Sequence, residues 1–145
     1  MPDKETIRRA ERDKRQGKAA STQAGEFVRE EMHHIREGKH GASSTKQAIA
    51  IGLSKARRAG VTLAPPRSGS AATRKSAQSA TRAGSRRRKP SARRSKAVRR
   101  ALKRQGHSAA SRKALSPHAR SAARRRSVSA RSAAARKAAR TRKGT

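Results

Sequence analysis

The chain has no cysteine, no tryptophan and no tyrosine, and only one phenylalanine. Without cysteine there is no disulfide framework and no thiolate metal site. Scarce aromatics remove the usual means of stacking on unpaired bases, because the single Phe27 falls on a core-facing stripe. No apolar run approaches the ~20 residues that span a bilayer, so no integral membrane association is expected. The opening residues Met1-Pro2-Asp3-Lys4-Glu5 are charged and lack the apolar core of a signal peptide, which predicts a cytoplasmic chain. Acids are missing as well: from Gly38 to Thr145 there is not one Asp or Glu.

The 8 acids (Asp3, Glu5, Glu11, Asp13, Glu26, Glu30, Glu31 and Glu37) share the first 37 residues with 9 Lys/Arg, leaving a net charge of +1 there. The other 32 of the 41 Lys/Arg follow, so the remaining 108 residues carry +32. Such a segment cannot neutralise itself and calls for a polyanion.

Of the apolar residues, 30 are Ala and only 15 are larger. Eleven of those 15 precede Ala64, and the last 82 residues hold only Val98, Leu102, Leu115 and Val128. Ala buries little area against a backbone ordering cost of roughly 1–2 kcal/mol per residue, so this composition predicts disorder. The expected boundary is Leu63-Ala64-Pro65-Pro66, between a helical domain over residues 1–63 and a basic tail over residues 64–145 that is 20 Arg, 21 Ala, 14 Ser and 7 Lys. The fold class expected is all-α: a small helical hairpin with a weaker N-terminal helix, then a long disordered tail with transient helices.

Three helices are predicted. The first runs from Asp3 or Lys4 to Gln16, capped by Asp3, stopped by Gly17 and supported by Glu5–Arg9 and Glu11–Arg15 pairs. The second covers Gln23 to Glu37, with Ser21 or Thr22 as cap, and gathers Ala24, Phe27, Val28, Met32 and Ile35 in one arc. Glu31 falls inside that arc and needs a cation, for which Arg57 or Lys46 is expected. The third covers Thr45 to Ala59, opened by a Ser44–Gln47 capping box and closed by Gly60-Val61, with Gly52 permitting close approach of the second helix. In the tail, Ser91–Gln105 and Ser129–Lys143 have local helix signals, and Ser116-Pro117 reads as a cap with Pro at the first helical position. So small a core predicts pairing with a second copy or a protein partner.

The segment Lys46-Gln47-Ala48-Ile49-Ala50-Ile51-Gly52-Leu53-Ser54, followed by Ala56-Arg57-Arg58-Ala59-Gly60, resembles a family of small basic bacterial proteins of unknown function built around KQAIAIGLS-x-ARxxG. Met32-His33 and the link Gly38-Lys39-His40-Gly41 extend the resemblance over residues 20–63. It implies a helical bacterial domain attached to a basic tail, and no reaction. In composition alone the tail is similar to histone-H1-like tails.

Cations that would contact phosphate occur in clusters: Arg86, Arg87, Arg88 and Lys89; Arg93, Arg94 and Lys96; Arg99 and Arg100; Lys103 and Arg104; Arg112 and Lys113; Arg124, Arg125 and Arg126; Arg136 and Lys137; and Arg140, Arg142 and Lys143. Small Ala and Ser spacers let the backbone approach a phosphate surface, and Arg grips phosphate bidentately. In the third helix Lys55, Arg57 and Arg58 add a basic face. A helix-turn-helix reading of the second and third helices is favoured by the basic residues Lys46, Lys55, Arg57 and Arg58 but opposed by the link Gly38–Ser43, which exceeds a 3–4-residue turn.

Other chemistry has less behind it. Glu30, His33 and Glu37 share a helix face at metal-ligand spacing, but no second helix supplies matching ligands, and His34 and His40 stand alone in the pattern; a solvated polar face is preferred, with no metal and no cofactor expected. No nucleophile elbow or phosphate loop is present, so no catalytic residue is assigned and the protein is not expected to be an enzyme. The tail serines read as spacers. The function expected is non-enzymatic, sequence-nonspecific nucleic-acid binding at the nucleoid, with duplex DNA favoured and RNA open. The alternatives are an adaptor whose third helix docks a protein through Ile51, Lys55 and Arg58, and an RNA- or ribosome-associated protein.

Overall fold

A computed structural model describes residues 1–67, 69–86 and 91–143, without the side chains of Thr141 and Lys143. Every regular element among them is helical: α1 (Lys4–Arg15), α2 (Ala20–Arg36), α3 (Thr45–Arg58), α4 (Ala71–Ser85), α5 (Ala92–Lys103), a 3-10 helix (Ser108–Ala110), α6 (Arg112–Arg124) and α7 (Val128–Lys143). By contacts the chain divides into two units, Met1–Ser111 and Arg112–Thr145.

In the first unit α1 and α2 are antiparallel. Asp3 donates its backbone N–H to Glu30 Oε2 (3.2 Å) and Arg9 pairs with Glu26 (2.7 Å), so the partners run in opposite order along the two helices. The α1 stop is as expected from Gly17, whose φ of 67° lets Lys18 N–H return to the Asp13 carbonyl. Helix α2 begins earlier than predicted. Ala19 occupies the cap position without a side-chain bond, and Ser21 and Thr22 lie within the first turn.

Helix α3 starts where the sequence says. Ser44 Oγ accepts from Gln47 N–H (3.2 Å). The return arm is displaced by one residue, because Gln47 Oε1 accepts from Ser43 N–H (2.7 Å) rather than from Ser44. At its end Gly60 N–H bonds the Arg57 carbonyl and Val61 N–H the Ala56 carbonyl, which carries Val61 into the core.

That core joins Ala10, Ala24, Phe27, Ala56 and Val61, flanked by Ile7, Leu53 and Leu63. Gly52 sits against Val28, and a Cβ there would lie 2.7 Å from Val28 Cα, so the two backbones are in direct contact. With Ala24 meeting Ala56 in the same core, α3 runs back along α2.

The expectation of a disordered tail is overturned: described residues beyond 63 are largely helical, and part of them packs in the first unit. The count of large apolar residues misses two sources of order. Ala and Arg are strong helix formers, and serine hydroxyls cap the helices: Ser70 for Thr73, Ser91 for Arg94 and Ser127 for Ala130. Small residues also pack by closeness rather than by area. Helix α4 lies on α3 with Ala77 and Ala80 buried, and a Cβ on Gly84 would collide with the Arg57 carbonyl oxygen. Replacing Gly84 with alanine gains up to about 1 kcal/mol of helix propensity, yet must push α4 off that carbonyl. A net loss of about 1–2 kcal/mol is expected, seen as a lower urea midpoint by circular dichroism.

The end of α5 and the segment after it dock on the link between α2 and α3 and on its flanking residues. Gly41 N–H bonds the Leu102 carbonyl (2.9 Å), Ala42 N–H the Gly106 carbonyl (3.1 Å) and Thr45 Oγ1 the Ala109 carbonyl (2.8 Å), while Arg36 Nε reaches the Ala110 carbonyl (2.9 Å). In the second unit, α6 begins at Arg112 rather than at Pro117 behind a Ser116 cap, so Pro117 lies inside the helix. Its missing N–H leaves the Lys113 carbonyl without the usual α-helical donor. Helix α7 begins at Val128, one residue before the expected Ser129.

Candidate nucleic-acid interface

The described cations sort into two groups. Arg86, Arg93, Arg94, Lys96, Arg99, Arg100, Lys103 and Arg104 are exposed in the first unit, as are Arg112, Lys113, Arg124, Arg125, Arg126, Arg136, Lys137, Arg140 and Arg142 in the second. Arg87, Arg88 and Lys89, and the Lys143 side chain, lie outside the described residues.

Helix α5 shows how such a surface is made. Over Ala92–Lys103 it carries Arg93, Arg94, Lys96, Arg99, Arg100 and Lys103, with no residue fully buried. At 1.5 Å rise per residue the helix is about 18 Å long, which gives roughly one cation per 3 Å. One strand of duplex DNA presents a phosphate about every 3.4 Å of axis. The linear charge densities are similar, and all but Arg94 fall within an arc of about 120°, so one helix face can largely neutralise a strand that it lies along.

The α3 residues differ. Arg58 is exposed, but Arg57 is 8% exposed and its guanidinium donates to the Ala64 carbonyl (3.2 Å). Lys55 turns inward to Glu31 Oε2 (2.7 Å) and Glu30 Oε1 (3.5 Å). The partner expected for Glu31 was Arg57 or Lys46; Lys55 takes that place. Helical side chains lean toward the N-terminus, which aims Lys55 back past Gly52 at Glu31, while Lys46 stays exposed and Arg57 faces the chain at Ala64. Lys55 is also one of the three residues assigned to protein docking, and its charge is committed inside.

Around Glu31 the structure gathers residues that the sequence pattern left apart. Glu31 is completely buried and Glu30 is 5% exposed. His40, from the link, places Nε2 3.2 Å from Glu31 Oε1, and its ring meets His34 edge-on at 6.2 Å between centroids. His34 also approaches Asp3 (3.4 Å) and Glu30 (3.9 Å). A cleft of about 260 Å³ opens beside Glu30 and His34, bordered by Asp3, Thr6, Arg9 and Lys39. The helical pattern offered Glu30, His33 and Glu37 instead. His33 is exposed and only 3.9 Å from Glu37, and it joins neither of the ligand-like groups, Glu31–His34–His40 and Asp3–Glu30–His34. His40 stands alone in the sequence pattern because a link residue has no helical register to place it. At the cleft rim Lys39 hydrogen-bonds Glu37 (3.0 Å), which holds the Glu37 carboxyl below its ordinary range and the Lys39 ammonium above its own.

Among the described residues no helix is long and apolar enough to cross a membrane. Residues 15–67, from the end of α1 through α3, match a family of unknown function (DUF6496). The expected resemblance therefore holds at the level of a family of unknown function. No curated protein and no solved structure matches the chain.

Proposed function

We propose that the protein binds nucleic acid without sequence preference, duplex DNA above all, through phosphate contacts made by its exposed cationic helices. In a bacterial cell this would place it on the nucleoid, in the manner of an H1-like protein. One observation carries the reading: past residue 37 there is no acid, and the described cations on α5, α6 and α7 face outward, on α5 at a spacing that suits phosphates. No aromatic accompanies them, so backbone contact is favoured over base stacking.

The test is a salt series. Affinity of the full chain for two unrelated duplexes is measured by fluorescence anisotropy across a range of ionic strength. Equal affinities are expected, with log K falling by about 0.9 per phosphate contact for each decade of salt. A variant with Arg124, Arg125, Arg126, Arg131, Arg136 and Arg140 changed to glutamine should flatten the slope by up to about 5. An unchanged slope and affinity in that variant would show that those arginines do not carry the binding. A structured RNA run beside the duplexes distinguishes the two polymers, and tighter RNA binding would replace DNA as the partner.

A further inference from the structure

Two carboxylates are adjacent and buried on α2, and one ammonium serves both. Lys55 Nζ lies 2.7 Å from Glu31 Oε2 and 3.5 Å from Glu30 Oε1. Buried ions in unequal number are costly, by several kcal/mol for each uncompensated charge. Neither oxygen of Glu31 accepts a hydrogen bond with good geometry, so Lys55 acts on it through charge alone.

His40 sharpens the point. Its Nδ1 is 3.1 Å from the Gly41 carbonyl oxygen. A carbonyl only accepts, so Nδ1 carries the hydrogen and a neutral ring then has a lone pair on Nε2. That lone pair faces Glu31 Oε1, another acceptor, at 3.2 Å. Two acceptors hold that position when a cation stands between them, either a second ring proton or a metal ion. A ligand histidine whose other nitrogen donates to a backbone carbonyl is the usual outer-sphere arrangement of metal sites. The spacing also fits, because bonds of 2.0–2.1 Å in a tetrahedron put ligand atoms roughly 3.3 Å apart. One ligand atom from each of Glu31, His34 and His40 lies within 4.8 Å of the others, so His34 has at most about 1.5 Å to close.

We propose that Glu31 Oε1, His34 and His40 Nε2 bind one divalent ion of the zinc class. Lys55 holds the second oxygen of Glu31 from outside the coordination sphere, and of the three ligands His34 borders the cleft beside Glu30. Two imidazoles and one carboxylate select zinc or a similar transition metal over Mg²⁺ and Ca²⁺, which prefer oxygen ligands throughout. The ion would tie α2 to the link and, through Lys55, to α3. None of its ligands is a cation proposed to contact phosphate.

The test uses the untagged full-length chain and Zn²⁺ alone, titrated calorimetrically against a competing chelator. One ion per chain is expected. His40→Ala and His34→Ala should each weaken binding by at least about 100-fold. His33→Ala and His118→Ala should leave it within about twofold, since neither residue is a proposed ligand. No binding to the intact chain, or equal losses in all four variants, would overturn the site. Should the His34 and His40 variants fail to fold, Co²⁺ bound to the intact chain decides: intense four-coordinate visible bands support the site, and the faint spectrum of a six-coordinate ion overturns it.

Discussion

Replacing Lys55 with methionine is expected to lower stability by about 3–5 kcal/mol. Methionine keeps the length and most of the packing of the lysine stem, so the loss isolates the charge. Glu30 and Glu31 would then remain as adjacent carboxylates, 5% and 0% exposed, without their shared ammonium. A domain of this size has a total stability of only about 5–15 kcal/mol, so the variant should be largely unfolded or show a sharply lower urea midpoint. The chain has no Trp or Tyr to follow by fluorescence, and far-UV circular dichroism is the measurement. Adding Glu31→Gln to the variant should restore part of the loss, because the two sites are in contact and do not add. Wild-type stability in the single variant would mean that Lys55 does not hold these carboxylates.

Gly52→Val is expected to cost about 3 kcal/mol, and Gly52→Ala about half that, both by overpacking. At Gly52 a Cβ meets Val28 at Cα (2.7 Å), Cγ2 (3.0 Å) and N (3.0 Å). Two of these three atoms are backbone, so α2 itself must move. Alanine would otherwise improve the helix by up to about 1 kcal/mol relative to glycine. The sign of the change is therefore decisive: a higher urea midpoint for Gly52→Ala would show that α2 and α3 do not touch there.

The parts of this architecture that can be read in the sequence are those written in side chains with fixed spacing. The core stripe of α2 through Phe27 and Ile35, the Ser44 cap of α3, the Gly60-Val61 stop and the need for small size at Gly52 all follow from periodicity and cap chemistry. Helix α4 does not. Its contact with α3 is made by Ala77, Ala80 and Gly84, which look the same in a string as the exposed alanines of α7. Only the opposing backbone tells them apart, and that backbone comes from elsewhere in the chain. The partner of Glu31 was misjudged for a related reason. A helical wheel gives the face on which Lys55 lies but not how far its stem leans back along the axis, so the choice fell on Arg57 or Lys46. The gathering of His34 and His40 depends on the path of the Gly38–Ser44 link, for which periodicity offers no rule. The exposed cations beyond residue 63 are the part of the candidate interface that composition alone made legible, because an acid-free segment has few places to turn its charge except outward.

The docking of residues 102–110 on the link also bears on how the chain comes into being. Gly41 and Ala42 take their hydrogen-bond partners from Leu102 and Gly106, some sixty residues later. A chain emerging from the ribosome can form α1, α2 and α3 in order, but those two amides wait until α5 has been made. Closing so long a loop adds only modestly to its entropic cost, since that cost grows with the logarithm of length. The delay is one of synthesis. Until it ends, the stretch between α2 and α3 faces solvent, and the first unit is completed from its far end.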